Sequence, residues 1–282
     1  MWECTFSKTA YGVALRRAAH QLFDDPKILD DPLALRIVGE KAAGALRAKQ
    51  TEAQNPISRA FRAFVAARSR YAEDQLAVAT HREATQYVIL GAGLDTSAYR
   101  CRHFGLRVFE VDHPATQAWK RECLQAASIA IPLSLTFVPI DFERNTLANG
   151  LQQSGFDLDS PAFFSWLGVT PYLTRGACLT TLAAIANLPS PSAVVFDFAV
   201  RRDLLNFPQK LALYALSRRV AAAGEPFRLF FDPGTLADDL QGLGFSRTEA
   251  LDGAEINRRY FHNRTDGLRV SGGLAHLMAA FV

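Results

Sequence analysis

A glycine turn between two apolar runs constrains the fold of this chain more than any other feature. The apolar run at 87–90 ends in Gly-Ala-Gly at 91–93, and the next apolar run, VFEVD, ends in two acids, Glu110 and Asp112. This order predicts a strand, a tight turn, a helix and a second strand whose last acid can hold a ribose. The glycines allow the backbone to approach a ligand closely. The stretch therefore predicts a nucleotide-binding α/β fold.

The residues after the turn indicate which nucleotide would fit. A dinucleotide site would have a third glycine where this chain has Thr96, and it would avoid an acid such as Asp95 at the helix start, where a pyrophosphate binds. A ligand with a ribose and an amino group but no phosphate fits better, and S-adenosyl-L-methionine is such a ligand. A nicotinamide-dependent oxidoreductase remains the alternative and is disfavoured by these two residues. Asp95 is expected to be a helix N-terminal acid rather than a catalytic group.

Composition and charge exclude several functional classes. The 282 residues are 49% hydrophobic and 21% charged with a net charge of +3, so the chain is globular without a basic footprint for nucleic acid. The amino terminus has no apolar signal core, and the uncharged run at 160–174 is too short to cross a bilayer. Four cysteines without C-x-x-C pairing indicate free thiols, so we expect a cytoplasmic protein that binds neither nucleic acid nor membrane. The six histidines lack metal-ligand spacing, and no metal is expected.

The first 80 residues are predicted to be helical, with one long amphipathic helix over 57–80. Its apolar residues recur at steps of three and four, and Arg68 lies on the same apolar stripe. An unpaired buried charge is very costly, so Arg68 must face an anion. Asp31, before Pro32, predicts the N-cap of a further helix. We predict that residues 1–80 form a helical cap on a main domain of residues 81–282.

After residue 85 strands and helices alternate, as in a parallel sheet with helices on both faces. The predicted fold is a doubly wound, mostly parallel, seven-stranded Rossmann-like α/β sheet. Its candidate strands are 86–90, 107–111, 134–138, 162–166, 193–198, 245–251 and 275–281.

Ligands bind such sheets beyond the C-terminal strand ends, so the residues there are candidate site residues. The third strand ends in Asp141 and Phe142, where an acid can accept a hydrogen bond from an adenine amino group and a ring can pack on the base. Simpler roles stay open: Asp112 as the cap of a helix at 114–124, Asp141 as the cap of a turn, and Arg68 in an interhelical salt bridge. The fourth and fifth strand ends add Ser165, Trp166, Leu167 and Asp197.

Five segments resemble the leucine carboxyl methyltransferase family, and in particular its bacterial branch, which includes polyketide O-methyltransferases. They are FVAARSRYAEDQL, VILGAGLDTSAYR, VFEVDHPATQAWKR, VPIDFE and FFSWLGVTPYLT, within a similarity that runs from about Thr9 to about residue 250. The resemblance implies a class I S-adenosylmethionine-dependent methyltransferase fold with an added helical cap. It also implies the cofactor contacts: Arg68 with the methionine carboxylate, Gly91 and the turn to Gly93 against the cofactor, Asp112 with the ribose, and Asp141 and Phe142 with the adenine.

One position departs from the family pattern. Many members have a glutamate where this chain has Leu167, in SWLGVTPYLT. Any role of that glutamate at the cofactor or the acceptor would pass to another group here, with Ser165, Trp166 or water as candidates. The departure also keeps open a non-catalytic protein that binds S-adenosylmethionine without turnover.

We expect an S-adenosylmethionine-dependent O-methyltransferase that acts on a small molecule. A carboxylate acceptor is ionised at neutral pH and needs no general base, whereas a phenol, with a pKa of about 10, would need one. The sequence leaves the acceptor and the oligomeric state open. The acceptor-side candidates are Lys8, Tyr11, Ser165 and Trp166, with Ser7 and Thr9 next to the first two.

Overall fold

In the computed structural model, which describes residues 7–49, 51, 54–101, 103, 105–140 and 147–282, the chain forms a seven-stranded sheet. The strands are β1 (Gln86–Leu90), β2 (Arg107–Asp112), β3 (Leu135–Pro139), β4 (Ala162–Trp166), β5 (Ala193–Ala199), β6 (Arg247–Leu251) and β7 (Ala275–Phe281). Their spatial order is β3-β2-β1-β4-β5-β7-β6, and β7 runs antiparallel to both of its neighbours. The predicted fold class and the seven predicted strands are confirmed.

Alternate strand residues bury their side chains on opposite faces of the sheet. Val88 and Leu90 lie in one apolar cluster, whereas Tyr87 and Ile89 lie in another. β1, β4 and β5 are buried along their whole length. This two-sided burial explains why their sequences are continuous apolar runs rather than alternating ones.

Helices precede the sheet and connect its strands. They are α1 (Lys8–Phe23), α2 (Ala34–Ile37), α3 (Glu40–Ala48), α4 (Pro56–His81), α5 (Ser97–Arg100), α6 (Pro114–Ala126), α7 (Leu147–Gln153), α8 (Arg175–Ala186), α9 (Phe207–Ala222), α10 (Pro233–Gly242) and α11 (Gly253–Tyr260), with 3₁₀ turns at Thr170–Tyr172 and Arg202–Leu204. Within the described part of the chain, no helix combines the length and the apolar character that crossing a bilayer requires.

The long predicted helix is α4, which extends the predicted span by one residue at each end. Asn55 caps it, because its side-chain oxygen accepts hydrogen bonds from the N–H groups of Ile57 (2.9 Å) and Ser58 (3.3 Å). Tyr71 and Leu76 pack into the same apolar cluster as one face of β1. The helix therefore belongs to the layer that covers the sheet, and a division into two domains at residue 80 stays a prediction.

The N-cap role expected for Asp31 is wrong. The residue before α2 is Leu33, and no side chain caps this helix. Asp31 is fully buried instead: its Oδ2 accepts a hydrogen bond from Thr96 Oγ1 (2.6 Å), and its Oδ1 lies 3.2 Å from Arg100 Nε. The carboxylate therefore ties the amino-terminal segment to the region that follows the glycine turn.

Asp24, at the end of α1, also forms a buried ion pair. Arg62 of α4 donates to its two carboxylate oxygens from Nη2 and Nε, both at 2.7 Å. His20 Nδ1 lies 2.8 Å from Asp24 Oδ2. The pair fixes the packing of α1 against α4.

Candidate active site

A cavity of about 760 Å³ lies beyond the C-terminal ends of β1, β2, β4 and β5. Residues of α1 and α4 form one wall, and residues of α9 with the segment before β7 form another. The volume is within the range of small-molecule sites, and the position is the one expected for an open parallel sheet. The cavity is therefore the candidate active site.

The glycine turn after β1 forms the floor of this cavity. Gly91 and Gly93 have positive φ angles of 68° and 45°, which glycine adopts without strain. The Gly91 N–H donates to the Val111 carbonyl at 2.8 Å and holds the turn against β2. A Cβ atom on Gly91 would lie 2.3 Å from Val169 Cγ2, so the turn has no space for a side chain.

Asp112, at the end of β2, lines the cavity beside the turn. Its Oδ2 accepts a hydrogen bond from the Gly93 N–H (2.6 Å) and its Oδ1 from the His113 N–H (2.7 Å). Burial raises its pKa although these two bonds lower it. The cap of α6 is His113, whose Nδ1 accepts from the Ala115 N–H at 3.2 Å. The Asp112 carboxylate is therefore held by the glycine turn and presented to the cavity.

Arg68 reaches the cavity from α4 and is only 6% exposed. Its Nη1 donates to Asp197 Oδ2 at 2.7 Å, so its salt bridge joins a helix to β5 rather than two helices. Its Nε is buried and has no hydrogen-bond partner among the described residues, which leaves a donor for a ligand. A Cβ atom on Gly168 would lie 2.8 Å from Arg68 Nη2, so a glycine at 168 gives the guanidinium its space.

Leu167, where many family members have a glutamate, lines the cavity with an aliphatic side chain. The carboxylate at this place comes from the neighbouring strand. Asp197 Oδ1 accepts a hydrogen bond from the Gly168 N–H at 2.5 Å, one residue after Leu167. The departure from the family pattern therefore does not leave this part of the cavity without a negative charge.

Asp95 stands just before α5, as expected for a helix N-terminal acid. Its Oδ1 accepts a hydrogen bond from the Ser97 N–H (2.7 Å) and its Oδ2 from Arg17 Nη1 (2.9 Å). Burial alone would raise its pKa, but the charges of Arg17 and Lys120 and the bond from Ser97 outweigh burial and lower the pKa to about 2. Asp95 is therefore a permanent negative charge in the cavity wall.

Two of the predicted acceptor-side residues, Lys8 and Ser165, line the cavity. The Ser165 hydroxyl is buried and lies 3.0 Å from Tyr87 Oη. Ser7 and Thr9 also reach the cavity, although Ser7 caps α1 by accepting a hydrogen bond from the Ala10 N–H (3.1 Å). The amino-terminal end of α1 therefore forms part of the cavity wall.

The other two acceptor-side candidates, Trp166 and Tyr11, do not line the cavity. Trp166 follows Ser165 in the strand, so its ring points to the opposite face, where it is fully buried near Phe196. Tyr11 packs edge-on against Trp119 of α6, with ring centroids 6.1 Å apart. The predicted adenine contacts, Asp141 and Phe142, lie outside the described residues.

The polar residues that line the cavity without an indication from the sequence include Arg16, Tyr172, Arg219 and Glu225. Burial raises the pKa of Tyr172 to about 12, while its hydrogen bond with Thr9 lowers the pKa and the charge of Glu225 raises it. Tyr172 lies in the segment FFSWLGVTPYLT, and that position is a signal that could have identified it. Arg16, Arg219 and Glu225 lie outside the five family-like segments and carry no such signal.

Gly91→Ala should destabilise the protein through both strain and overlap. The new methyl group would sit at a φ of 68° and press against Val169, so we expect the free energy of unfolding to fall by about 2–4 kcal/mol. Gly267→Ala is the matched control, because Gly267 has the same φ of 68° with no atom within 4 Å of the added Cβ. Denaturant unfolding of the two variants measures the difference. If both variants lose the same stability, the close approach to Val169 is not what limits the turn.

Asp95→Asn should lower the free energy of unfolding by an amount that depends on pH. The native pKa of about 2 lies below the ordinary aspartate value of 3.8, so the carboxylate stabilises the fold above about pH 4, and this contribution disappears as the pH falls towards 2. At about 1.36 kcal/mol for each pKa unit, the pH-dependent part is about 2.5 kcal/mol at pH 7 and about half of that at pH 3. Urea unfolding of the wild type and the variant between pH 3 and pH 7 measures the gap between their free energies of unfolding. A gap that stays constant over this range would contradict the pairing with Arg17.

Known proteins resemble this chain in sequence. A model of the leucine carboxyl methyltransferase family matches residues 10–186, which include Arg68, the glycine turn and Asp112. YktD of Bacillus subtilis, named as a candidate S-adenosyl-L-methionine-dependent methyltransferase, is 32% identical over 286 residues, 93% of this chain and 93% of that protein. A protein of Mycolicibacterium paratuberculosis with the same type of name is 32% identical over 219 residues, 73% of this chain and 68% of that protein.

Among solved structures, the similarity concerns the fold alone. The structure of a Bordetella parapertussis protein, described as a possible exported protein, matches with a TM-score of 0.51 at 14% identity, over 98% of this chain and 97% of that one. The family match covers well over half of the chain, and the Bacillus subtilis relative aligns along almost all of it. The chain therefore belongs to the leucine carboxyl methyltransferase family of S-adenosyl-L-methionine-dependent methyltransferases.

Proposed function

We propose that this methyltransferase transfers the methyl group of S-adenosylmethionine to an oxygen atom of a small-molecule acceptor, and that this oxygen belongs to a carboxylate. The observation that carries the proposal is the cavity, whose volume of about 760 Å³ extends from the glycine turn to α9 and offers space for a second molecule beyond the floor. Apolar walls with a few charged groups are typical of small-molecule sites.

The residues of the floor fit S-adenosylmethionine, which supplies an electrophilic methyl group on its sulfonium sulfur. Asp112 would accept hydrogen bonds from the ribose hydroxyls, and Arg68, with its unpartnered Nε, would hold the methionine carboxylate. Asp197 would face the ammonium group, in place of the glutamate that Leu167 replaces. Asp141 and Phe142 remain predicted contacts of the adenine.

A carboxylate acceptor fits the ionisable groups of the cavity better than a phenol does. A carboxylate is ionised at neutral pH, so the protein needs only to position it. A phenol requires a base with a pKa near neutrality. The pKa values of Tyr172, about 12, and of Asp95, about 2, are far from that range. Asp112 and Asp197 are already held by backbone N–H groups and, for Asp197, by Arg68. His113 also lines the cavity, but its Nδ1 is used to cap α6.

Two further points belong to the proposal. The charged Asp95 would repel a pyrophosphate, which disfavours a nicotinamide-dependent oxidoreductase. Within the described residues, Cys101, Cys123 and Cys178 are free thiols, which supports the cytoplasm as the compartment. The second candidate function is an inactive protein that binds S-adenosylmethionine, since Leu167 removes the carboxylate of the family pattern.

Turnover separates methylation from binding alone. The wild type is incubated with S-adenosylmethionine and a panel of apolar monocarboxylic acids, dicarboxylic acids and phenols, and mass spectrometry detects methyl esters and methyl ethers. We expect methyl esters, because the acids are already ionised. Methyl ethers as the main products would contradict the carboxylate, and binding of S-adenosylhomocysteine without any product would favour the inactive protein.

Arg68→Met should specifically weaken the binding of S-adenosylhomocysteine. The affinity should fall roughly tenfold or more, the effect of losing a charge-assisted hydrogen bond, whereas 5′-methylthioadenosine, which lacks the carboxylate, should bind both proteins about equally. Calorimetry of both ligands with both proteins measures this coupling. Arg70→Met is the matched control, because Arg70 lies on the same helix and pairs with Asp74 at the surface.

The control variant should bind both ligands like the wild type. Circular dichroism verifies that each variant is folded before calorimetry. Equal losses of affinity for the two ligands in folded Arg68→Met would mean that Arg68 is structural and does not hold the carboxylate.

A further inference from the structure

Two arginines of the cavity have no carboxylate partner within the part of the chain that the structure describes. Arg16 lies on α1, where its Nη1 donates to the Gly12 carbonyl of the same helix at 2.7 Å. Its guanidinium lies over the Phe61 ring, 4.2 Å from the centroid. Arg219 lies on α9 and lines the same cavity. Neither side chain therefore uses its charge on a carboxylate of the protein.

The charges of these two arginines act on each other. Burial, and then the charges of Arg219 and Arg68, lower the pKa of Arg16 to about 10, so Arg16 is still protonated at neutral pH. Arg68 is compensated by Asp197 at 2.7 Å, whereas Arg16 and Arg219 repel each other. Uncompensated cations at the wall of an apolar cavity are unfavourable, and a bound anion would relieve their repulsion.

Apolar side chains surround this pair. A ligand that satisfies both features combines an apolar body with an anionic group. The apolar residues that line this part of the cavity are Phe61, Phe64, Leu213, Leu216, Val220 and Phe227.

We propose that Arg16 and Arg219 form an anion anchor for the acceptor, and that the anchored anion is not the oxygen that receives the methyl group. The acceptor is then an apolar acid with a second carboxylate, which means a diacid. The product keeps one negative charge. This inference rests on the proposed function and adds the substrate class.

The change of charge during methyl transfer is the reason why the anchored anion and the reacting oxygen belong to different groups. In methyl transfer, an oxygen lone pair forms the bond to the methyl carbon, the carbon–sulfur bond breaks, and its electron pair stays on sulfur. The reacting oxygen loses its negative charge in this step. Arginines on that oxygen would stabilise the ground state more than the transition state and would slow the reaction. Arginines on a separate anion keep their attraction throughout and position the acceptor.

Calorimetry on the protein saturated with S-adenosylhomocysteine tests the anion anchor. The probes are 2-naphthoate and its uncharged counterpart 2-naphthamide. The wild type should bind 2-naphthoate at least roughly tenfold more tightly than 2-naphthamide. Arg16→Met and Arg219→Met should each remove most of this preference. Arg218→Met is the matched control. Arg218 is adjacent to Arg219, but its guanidinium lies over the Tyr214 ring, 5.9 Å from the centroid, and it does not line the cavity. The preference for 2-naphthoate should therefore remain in this variant.

Turnover tests the separation of the two groups. Naphthalene-2,6-dicarboxylate should be methylated once, with a free carboxylate retained in the product, and 2-naphthoate should inhibit rather than react. Methylation of 2-naphthoate as fast as of the diacid would overturn the separation. Binding of the diacid without methylation also counts against it.

Three outcomes of the calorimetry distinguish the anchor from the proposed function. Equal binding of 2-naphthoate and 2-naphthamide to the wild type would overturn the anion anchor. A loss of S-adenosylhomocysteine affinity in Arg16→Met as large as in Arg68→Met would assign Arg16 to the cofactor and would overturn it as well. A wild type that does not bind S-adenosylhomocysteine would instead contradict the proposed function.

Discussion

A buried guanidinium needs a carboxylate partner, and this requirement joins the helices before the sheet to the ends of its strands. Removing one partner of a buried pair costs about 3–5 kcal/mol, so these helices cannot move away from the strand ends without a large loss. The ion pairs therefore hold the walls of the cavity at a set separation. They are Arg17 with Asp95 and Arg68 with Asp197.

Fixed carboxylates also distinguish the floor of the cavity from its far wall. Asp112 is held by two backbone N–H groups, and Asp197 by one N–H group and an arginine. Groups that are already oriented lose little conformational freedom when a ligand binds. The far wall is different, because α9 buries only Leu213 and Val220 of its 16 residues. The floor is therefore preorganised, whereas the acceptor side is anchored by few buried contacts.

The sequence predicts the sheet better than the cavity, for a physical reason. Strands that are buried on both faces are continuous apolar runs, and such runs can be recognised locally. The cavity depends on the rotation of helices about their axes. Arg16 and Arg17 point about 100° apart, and only packing decides that Arg17 pairs with Asp95 while Arg16 lies over the Phe61 ring. The alternation of side chains along a strand would have been enough to place Ser165 and Trp166 on opposite faces of the sheet. Arg219, in contrast, lies on a helix without any recognisable motif, so the sequence does not indicate it.

The ion pairs across the cavity also limit how such a protein can be recombined with its relatives. A chimaera that took its first 81 residues from a relative without Arg17 or Arg68 would leave Asp95 or Asp197 as a carboxylate without its cation. Such an acid takes up a proton or draws in water, and either change alters the floor of the cavity. The helices and the strand ends of this fold therefore have to come from the same parent protein, even though they are far apart along the chain.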